Sequence, residues 1–392
     1  MRRVLAEWGP DCAEQVHRVV AHADFAAEWT PELRYLVRVE TLDQREEVER
    51  ARRGGLHNLY WVKSAALEDG DVVVPRSGRP HPPADLEGRL REAQHATGQG
   101  SLSILLRESD THHALFMTNR CNSRCLMCSQ PPTTEDDSWL IAEAIDAIRH
   151  MRLSPRALGL TGGEPLLLRE GLRQVLDAIT QHHPGTVVEV LTNGRLFADS
   201  EQASMILSAP SPKVRWLVPL YGHADFLHDF VVQARGAFDE TIAGLLNLQA
   251  YRQEVQLRTV LIEPVLQVLP ELAAFVGRNL PFVREVALMG CEPIGFALAN
   301  RDQCEVNLNE WHPVLELTGR VLSRHDIPFL LMNTPHCAIP ASLWPAAHQS
   351  ISDWKNVYAP ECSDCAARSE CAGLFAWHDK GWKPAPLKAL RP

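Results

Sequence analysis

Between residues 109 and 329, short apolar runs alternate with stretches in which apolar residues recur every three or four positions. The runs predict buried strands and the recurring pattern predicts amphipathic helices, so their alternation predicts βα units around a parallel sheet. The strands fall at 114–119, 157–161, 186–192, 214–220, 255–263 and 284–289. Helices fall near 138–151, 169–182, 238–251, 268–277 and 310–325. Six parallel strands with crossover helices predict an α/β fold, either an incomplete barrel or a doubly wound open sheet, and both put functional loops at the carboxyl ends of the strands.

The flanks read differently. Residues 1–108 mix a helical pattern near 12–27, a strand-like run at 33–39 and a short run at 72–74, and carry no catalytic motif. Pro80, Pro82, Pro83, Gly98 and Gly100 mark a turn-rich boundary. After about residue 330 the alternation ends and Pro, Trp and Cys become frequent, a composition that needs a staple. The expected organisation is an amino-terminal extension over 1–108, a core over 109–330 and a cysteine-rich region over 331–392.

Composition narrows the functional classes. The chain has 392 residues and a net charge of −10, which argues against a protein that grips a nucleic-acid backbone. No window has the apolar length of a membrane span, and the start leads to Glu7 and Asp11 rather than to a signal-peptide core, so a cytoplasmic location is expected. Ten cysteines in such a chain predict metal ligands, catalytic groups or buried thiols rather than disulfides.

Three of them, Cys121, Cys125 and Cys128, lie in a CxxxCxxC loop directly after the first strand. Three thiolates can hold a four-iron cluster and leave one iron without a protein ligand, while a structural zinc site would need a fourth. The second strand ends in Gly162-Gly163-Glu164-Pro165. Glycines there permit close backbone approach to a ligand and the carboxylate can accept from a ligand amine; alone, the motif is also an ordinary strand-to-helix turn. In a parallel sheet both motifs lie at the same end, within reach of one small molecule.

Taken together, CxxxCxxC and Gly-Gly-Glu-Pro resemble the radical S-adenosylmethionine enzymes. The resemblance implies a partial (β/α)6 barrel in which Cys121, Cys125 and Cys128 bind a [4Fe–4S] cluster whose open iron is chelated by S-adenosylmethionine. Gly162, Gly163 and Glu164 would hold the cofactor's amine end, and Thr192 and Asn193, in the Leu191-Thr192-Asn193-Gly194 run, would add polar contacts. Met127 stands where the family usually has an aromatic residue, and its thioether can pack on adenine. Reductive cleavage of the sulfonium would give methionine and a 5′-deoxyadenosyl radical that takes a hydrogen atom from substrate. Arg258, in the fifth strand, could reach the cofactor carboxylate if it points inward; otherwise it is an outward residue at a strand edge.

At the carboxyl end, Cys362, Cys365 and Cys371, with Cys337 upstream, resemble the auxiliary-cluster (SPASM or twitch) regions of peptide-modifying radical enzymes. This implies one auxiliary [4Fe–4S] cluster with four protein ligands. A four-cysteine zinc staple would satisfy the same thiolates, and Cys291 or Cys304 could replace Cys337. Cys12 reads as an ordinary thiol.

Phrases at 116–121, 129–132, 218–221 with His228 and Asp229, 236–241, 278–283 and 350–356 resemble the HxsC maturase family of His-Xaa-Ser systems. That resemblance implies a precursor peptide with His-Xaa-Ser repeats as substrate, a second radical protein HxsB and a small protein HxsD as partners, and an external electron donor. Tyr221, His223, His228 and Asp229 could line the substrate cavity as proton or hydrogen-atom partners, or be solvated loop residues around one packed aromatic. The expectation is therefore a radical peptide maturase. Its rivals are a radical enzyme acting on RNA or a small cofactor precursor, and a non-catalytic iron–sulfur scaffold or electron-transfer subunit.

Overall fold

The structure, a computed structural model, describes residues 2–9, 12–76, 100–110, 112–209, 211–349, 355–378 and 381–391. The expected turn marks Pro80, Pro82, Pro83 and Gly98, and most of the phrase at 350–356, lie outside the described residues.

Six amino-terminal strands, β1 (Arg2–Trp8), β2 (His17–Ala21), β3 (Tyr35–Arg38), β4 (Leu59–Lys63), β5 (Val72–Arg76) and β6 (Gly100–Leu106), close into a barrel in the order β1-β4-β3-β2-β5-β6. The β2–β3 and β3–β4 pairs are parallel and the other four antiparallel. Val19, Leu36, Val62, Val73, Leu102 and Ile104 pack together as one apolar cluster, while Val20, Tyr35, Val37, Leu59 and Trp61 form a second with Val48 of the helix Leu42–Arg53. The helical pattern expected near 12–27 is corrected: β2 and a one-turn helix, Phe25–Glu28, occupy it. Four successive residues of β2 are buried, so the strand lacks the alternation that separates strand from helix.

The second sheet is parallel and has eight strands: β7 (His113–Phe116), β8 (Ala157–Thr161), β9 (Val187–Leu191), β10 (Val214–Pro219), β11 (Glu254–Leu261), β12 (Glu285–Gly290), β13 (Phe329–Met332) and β14 (Ala347–His348). Their order is sequential from β7 to β14. A doubly wound sheet reverses its order at a switch point; this one does not, and right-handed crossovers that always step the same way curl it into a parallel half-barrel. The six expected strands are β7–β12. β13 and β14 extend the sheet, and the expected boundary at 330 falls inside β13.

The helices Trp139–His150, Glu170–His182, Ala237–Ala250, Leu269–Asn279 and His312–Arg324 follow the expected pattern. In Glu170–His182, Leu172, Val175, Leu176 and Ile179 are buried at the i, i+3, i+4, i+7 spacing that packs one helical face. The helices Ser200–Leu207 and Asp225–Val232 were not anticipated. Trp139–His150 abuts the amino-terminal barrel: Arg76 pairs with Glu143 at 2.7 Å, Arg34 pairs with Asp146, and the Arg34 amide donates to His150 Nε2 at 3.1 Å. Among the described residues, no helix is long and apolar enough to cross a membrane.

Candidate cluster and cofactor site

The carboxyl ends of β7–β13 form one rim, and the cysteine loop leaves it after β7. Backbone hydrogen bonds continue the β7–β8 pairing into the loop: the Met117 amide donates to Thr161 O at 2.7 Å, Gly163 to Thr118 O at 2.6 Å and Glu164 to Arg120 O at 2.8 Å. This explains the two glycines. A Cβ on Gly162 would lie 2.5 Å from Thr118 O, and one on Gly163 would lie 2.2 Å from Arg120 O. The close approach expected toward a ligand is made toward the cysteine loop itself.

Other elements hold the loop from outside. The amides of Arg124 and Leu126 donate to Val232 O and Val231 O at 3.0 and 2.9 Å, and Phe296 donates to Cys128 O at 2.8 Å. Asn300 Nδ2 donates to Leu126 O at 3.0 Å. The Thr118 hydroxyl donates to the buried Asp137 carboxylate at 3.0 Å.

Burial and the neighbouring Glu164 push the Cys121 thiol up to about 12, and burial with the adjacent Cys128 and Cys121 pushes Cys125 higher still. Cys128 is raised by burial. Such thiols stay protonated at neutral pH, and a multiply charged metal centre is what converts a set like this into thiolates. Three thiols on one loop are the donor set of a cluster with an open iron, while among the described residues no group of three is arranged to hold a single metal ion. Met127, expected beside adenine, is buried with Leu126 in the main apolar core.

Glu164 is fully buried and both its oxygens have protein donors. Thr192 Oγ1 and the Leu166 amide donate to Oε1 at 2.6 and 2.8 Å, and the Asn193 amide donates to Oε2 at 2.6 Å. Desolvation raises its pKa to about 6 against these bonds. Thr192 and Asn193, expected to contact the cofactor, thus meet Glu164, and Asn193 Nδ2 also donates to Asn122 Oδ1 at 2.6 Å. The turn after β9 joins the carboxylate to the cysteine loop.

Tyr221 follows β10, is buried, and lies in the electrostatic reach of Cys125, Cys128, Cys291 and Arg258; burial and those thiols push its phenol well above the ordinary value. His228 stacks on it at 5.9 Å and accepts from its amide through Nδ1 at 3.3 Å. Burial lowers His228 to about 4, so it is neutral. Asp229 accepts from the Phe238 amide at 2.8 Å and from the Gly236 amide, which makes it a turn cap. His223 is half-buried. β11 is paired on both sides, so Arg258 is not at a sheet edge. Its Nε donates to Gln256 Oε1 at 3.0 Å, in a polar group where Arg215 meets Glu189 at 2.9 Å and Gln256 meets Glu285 at 2.7 Å. Burial lowers Arg258 to about 10.

Six of the seven remaining cysteines separate into two groups, with Cys12 apart beside His17. Cys337, Cys362, Cys365 and Cys371 line one cavity with His336, Tyr358, Arg368 and Lys388. Backbone amides point at two of the sulfurs: His336 and Gly373 donate to Cys371 Sγ at 3.4 Å, and Leu390 donates to Cys365 Sγ at 3.3 Å. Amide donors of this kind stabilise thiolates; among the described residues, though, no group of three His, Cys, Asp or Glu side chains is arranged to hold a single metal ion, so the four thiols suit a multi-iron cluster better than a lone zinc. Cys291 and Cys304 face each other elsewhere, with Cys304 Sγ 3.8 Å from Leu126 O beneath the cysteine loop.

Sequence reasoning missed Gly295, Phe296, Asn300 and Arg195. Gly295, at φ 61°, packs against Cys128 O, where a Cβ would lie 2.4 Å away. Its glycine between Ile294 and Phe296 was the available signal.

Residues 115–274 match the family model described as Radical SAM superfamily. A GTP 3′,8-cyclase from Mycobacterium marinum is 34% identical over 167 residues, 40% of this chain and 44% of that protein. The match thus spans less than half the length of that curated relative. Two solved structures match parts of the chain at low identity. Streptococcus suis SuiB bound to S-adenosylmethionine has a TM-score of 0.47 at 12% identity, over 64% of this chain and 55% of that chain. A radical SAM methyltransferase from Sphaerobacter thermophilus has a TM-score of 0.44 at 16% identity, over 65% and 72%.

Proposed function

We propose that the chain, whose residues 115–274 match the family model described as Radical SAM superfamily, is a radical peptide maturase that acts on a ribosomally made precursor of His-Xaa-Ser type. The observation that carries this reading is the pair of thiol sets, three on the loop after β7 and four around the carboxyl-terminal cavity, the latter in the spacing of auxiliary-cluster regions. Cys121, Cys125 and Cys128 would hold a [4Fe–4S] cluster, and Cys337, Cys362, Cys365 and Cys371 a second. When bound, the first cluster and S-adenosylmethionine would supply a 5′-deoxyadenosyl radical able to take a hydrogen atom from a substrate C–H bond.

The chain's own residues prepare that site. Glu164 stays fixed by Thr192, Asn193 and Leu166 and can receive one more donor on its remaining lone pairs. Leu126 and Met127 exclude water from behind the loop. Tyr221 holds its phenolic proton at the rim, and neutral His228 orients it by stacking. Arg258 keeps a positive charge in the half-barrel, suited to a carboxylate. Partners of this reading are HxsB, HxsD and an external electron donor.

The test is anaerobic reconstitution of the full chain, with reductant-dependent 5′-deoxyadenosine as readout and Cys125→Ala as control. No cleavage by a chain with a full cluster would sink the proposal and favour an iron–sulfur scaffold. A second reading, action on a small cofactor precursor, draws on the identity to GTP 3′,8-cyclase. Offered separately, a His-Xaa-Ser peptide and GTP discriminate the two by which one is consumed to a product of new chromatographic retention, because an internal cyclisation can leave the mass unchanged.

A further inference from the structure

Arg195 sits where the turn after β9 meets the cysteine loop. Gly194, at φ 74°, reverses the chain just before it. The Arg195 side chain is 11% exposed, and its Nη1 donates to Asn122 O at 2.6 Å and to Ser123 Oγ at 3.1 Å. Its Nε donates to Glu240 Oε2 at 2.6 Å, on the helix Ala237–Ala250. A buried cation is thus fastened to two residues between Cys121 and Cys125, with a carboxylate on its far side.

We propose that Arg195 is a positioning residue that pins the Cys121–Cys128 loop and, by its charge, raises the reduction potential of the cluster that loop would hold, with Glu240 as the opposing charge. This rests on the iron–sulfur reading of the loop. One-electron reduction adds negative charge to a cluster, so a nearby cation stabilises the reduced state and an anion destabilises it, most strongly where water is excluded.

The experiment is a redox titration of the reconstituted full chain followed by electron paramagnetic resonance, with iron per chain measured alongside. The relevant signal is the one that changes on adding S-adenosylmethionine. Arg195→Met should shift its midpoint to more negative potential and Arg195→Lys by less. Glu240→Gln should shift it to more positive potential with iron content unchanged. Opposite signs at the two positions are what a purely mechanical role cannot give. Unchanged midpoints in the loaded fraction, or shifts of the same sign, overturn the proposal. If Arg195→Met does not fold, the half-exposed Glu240 still carries the test. Wild-type chain that takes up no iron overturns the underlying reading as well, and is recognised before any variant is made.

Discussion

At neutral pH Glu164 is an ionised carboxylate held away from water, and its pKa is pushed up from 4.5 to about 6. The folded state therefore binds this proton more tightly than the unfolded chain does. Its contribution to stability is full below the unfolded pKa and is lost as pH rises through about 6. The loss is on the order of 2 kcal/mol for a shift of this size. Glu164→Gln should abolish that slope, so urea unfolding of wild type and variant across this range should give a difference that changes with pH; a constant difference refutes it. Gly163→Ala should cost about 1–3 kcal/mol, because its Cβ meets backbone that cannot swing aside; thermal unfolding of the metal-free chain measures it. The sequence made the types and spacing of these residues legible, because cluster thiolates and tight backbone approaches restrict what can stand there. It did not show that Thr192 and Asn193 face Glu164, since a hydroxyl and an amide serve a ligand or a neighbour equally well.

At the scale of elements, the segment Gly295–Cys304 acts as a clamp on the cysteine loop through the Phe296 amide and Asn300. Gly295→Ala would strain a left-handed backbone and press on Cys128 O. The expected outcome is lower iron per chain after reconstitution, measured by iron assay against wild type; equal iron content would show that the clamp is dispensable. Strands β7–β12 were legible because each is an apolar run between helices of clear period. β13 was not, since four residues after Pro328 carry too little periodicity to separate strand from loop. β1, β4 and β6 escaped for another reason: mixed polar and apolar text resolves into strands only when barrel closure supplies partners for their edges.

At the scale of the molecule, the barrel and the half-barrel meet through a nearly dry ion pair, with the Arg76 side chain 3% and Glu143 12% exposed. Arg76→Ala removes this pair and the stacking of the guanidinium over Trp139 and should cost about 1–3 kcal/mol in denaturant unfolding; a loss under about 0.5 kcal/mol would show that the contact is solvated. Two thiol sets predict roughly eight iron atoms per reconstituted chain and about four in Cys371→Ala; zinc in the carboxyl-terminal cavity would instead leave iron unaltered by that substitution. The backbone bonds from Thr118 to Cys128 involve no sulfur. In small metal-dependent domains the ion must fold the chain, and translation without metal yields an unfolded product. Here the ladder that β8 extends into the loop predicts that the chain folds before any metal reaches it, so that synthesis and metal loading can be separate in time; a cooperative thermal transition of the metal-free chain is the expected outcome, and its absence would show that the loop needs its metal to fold.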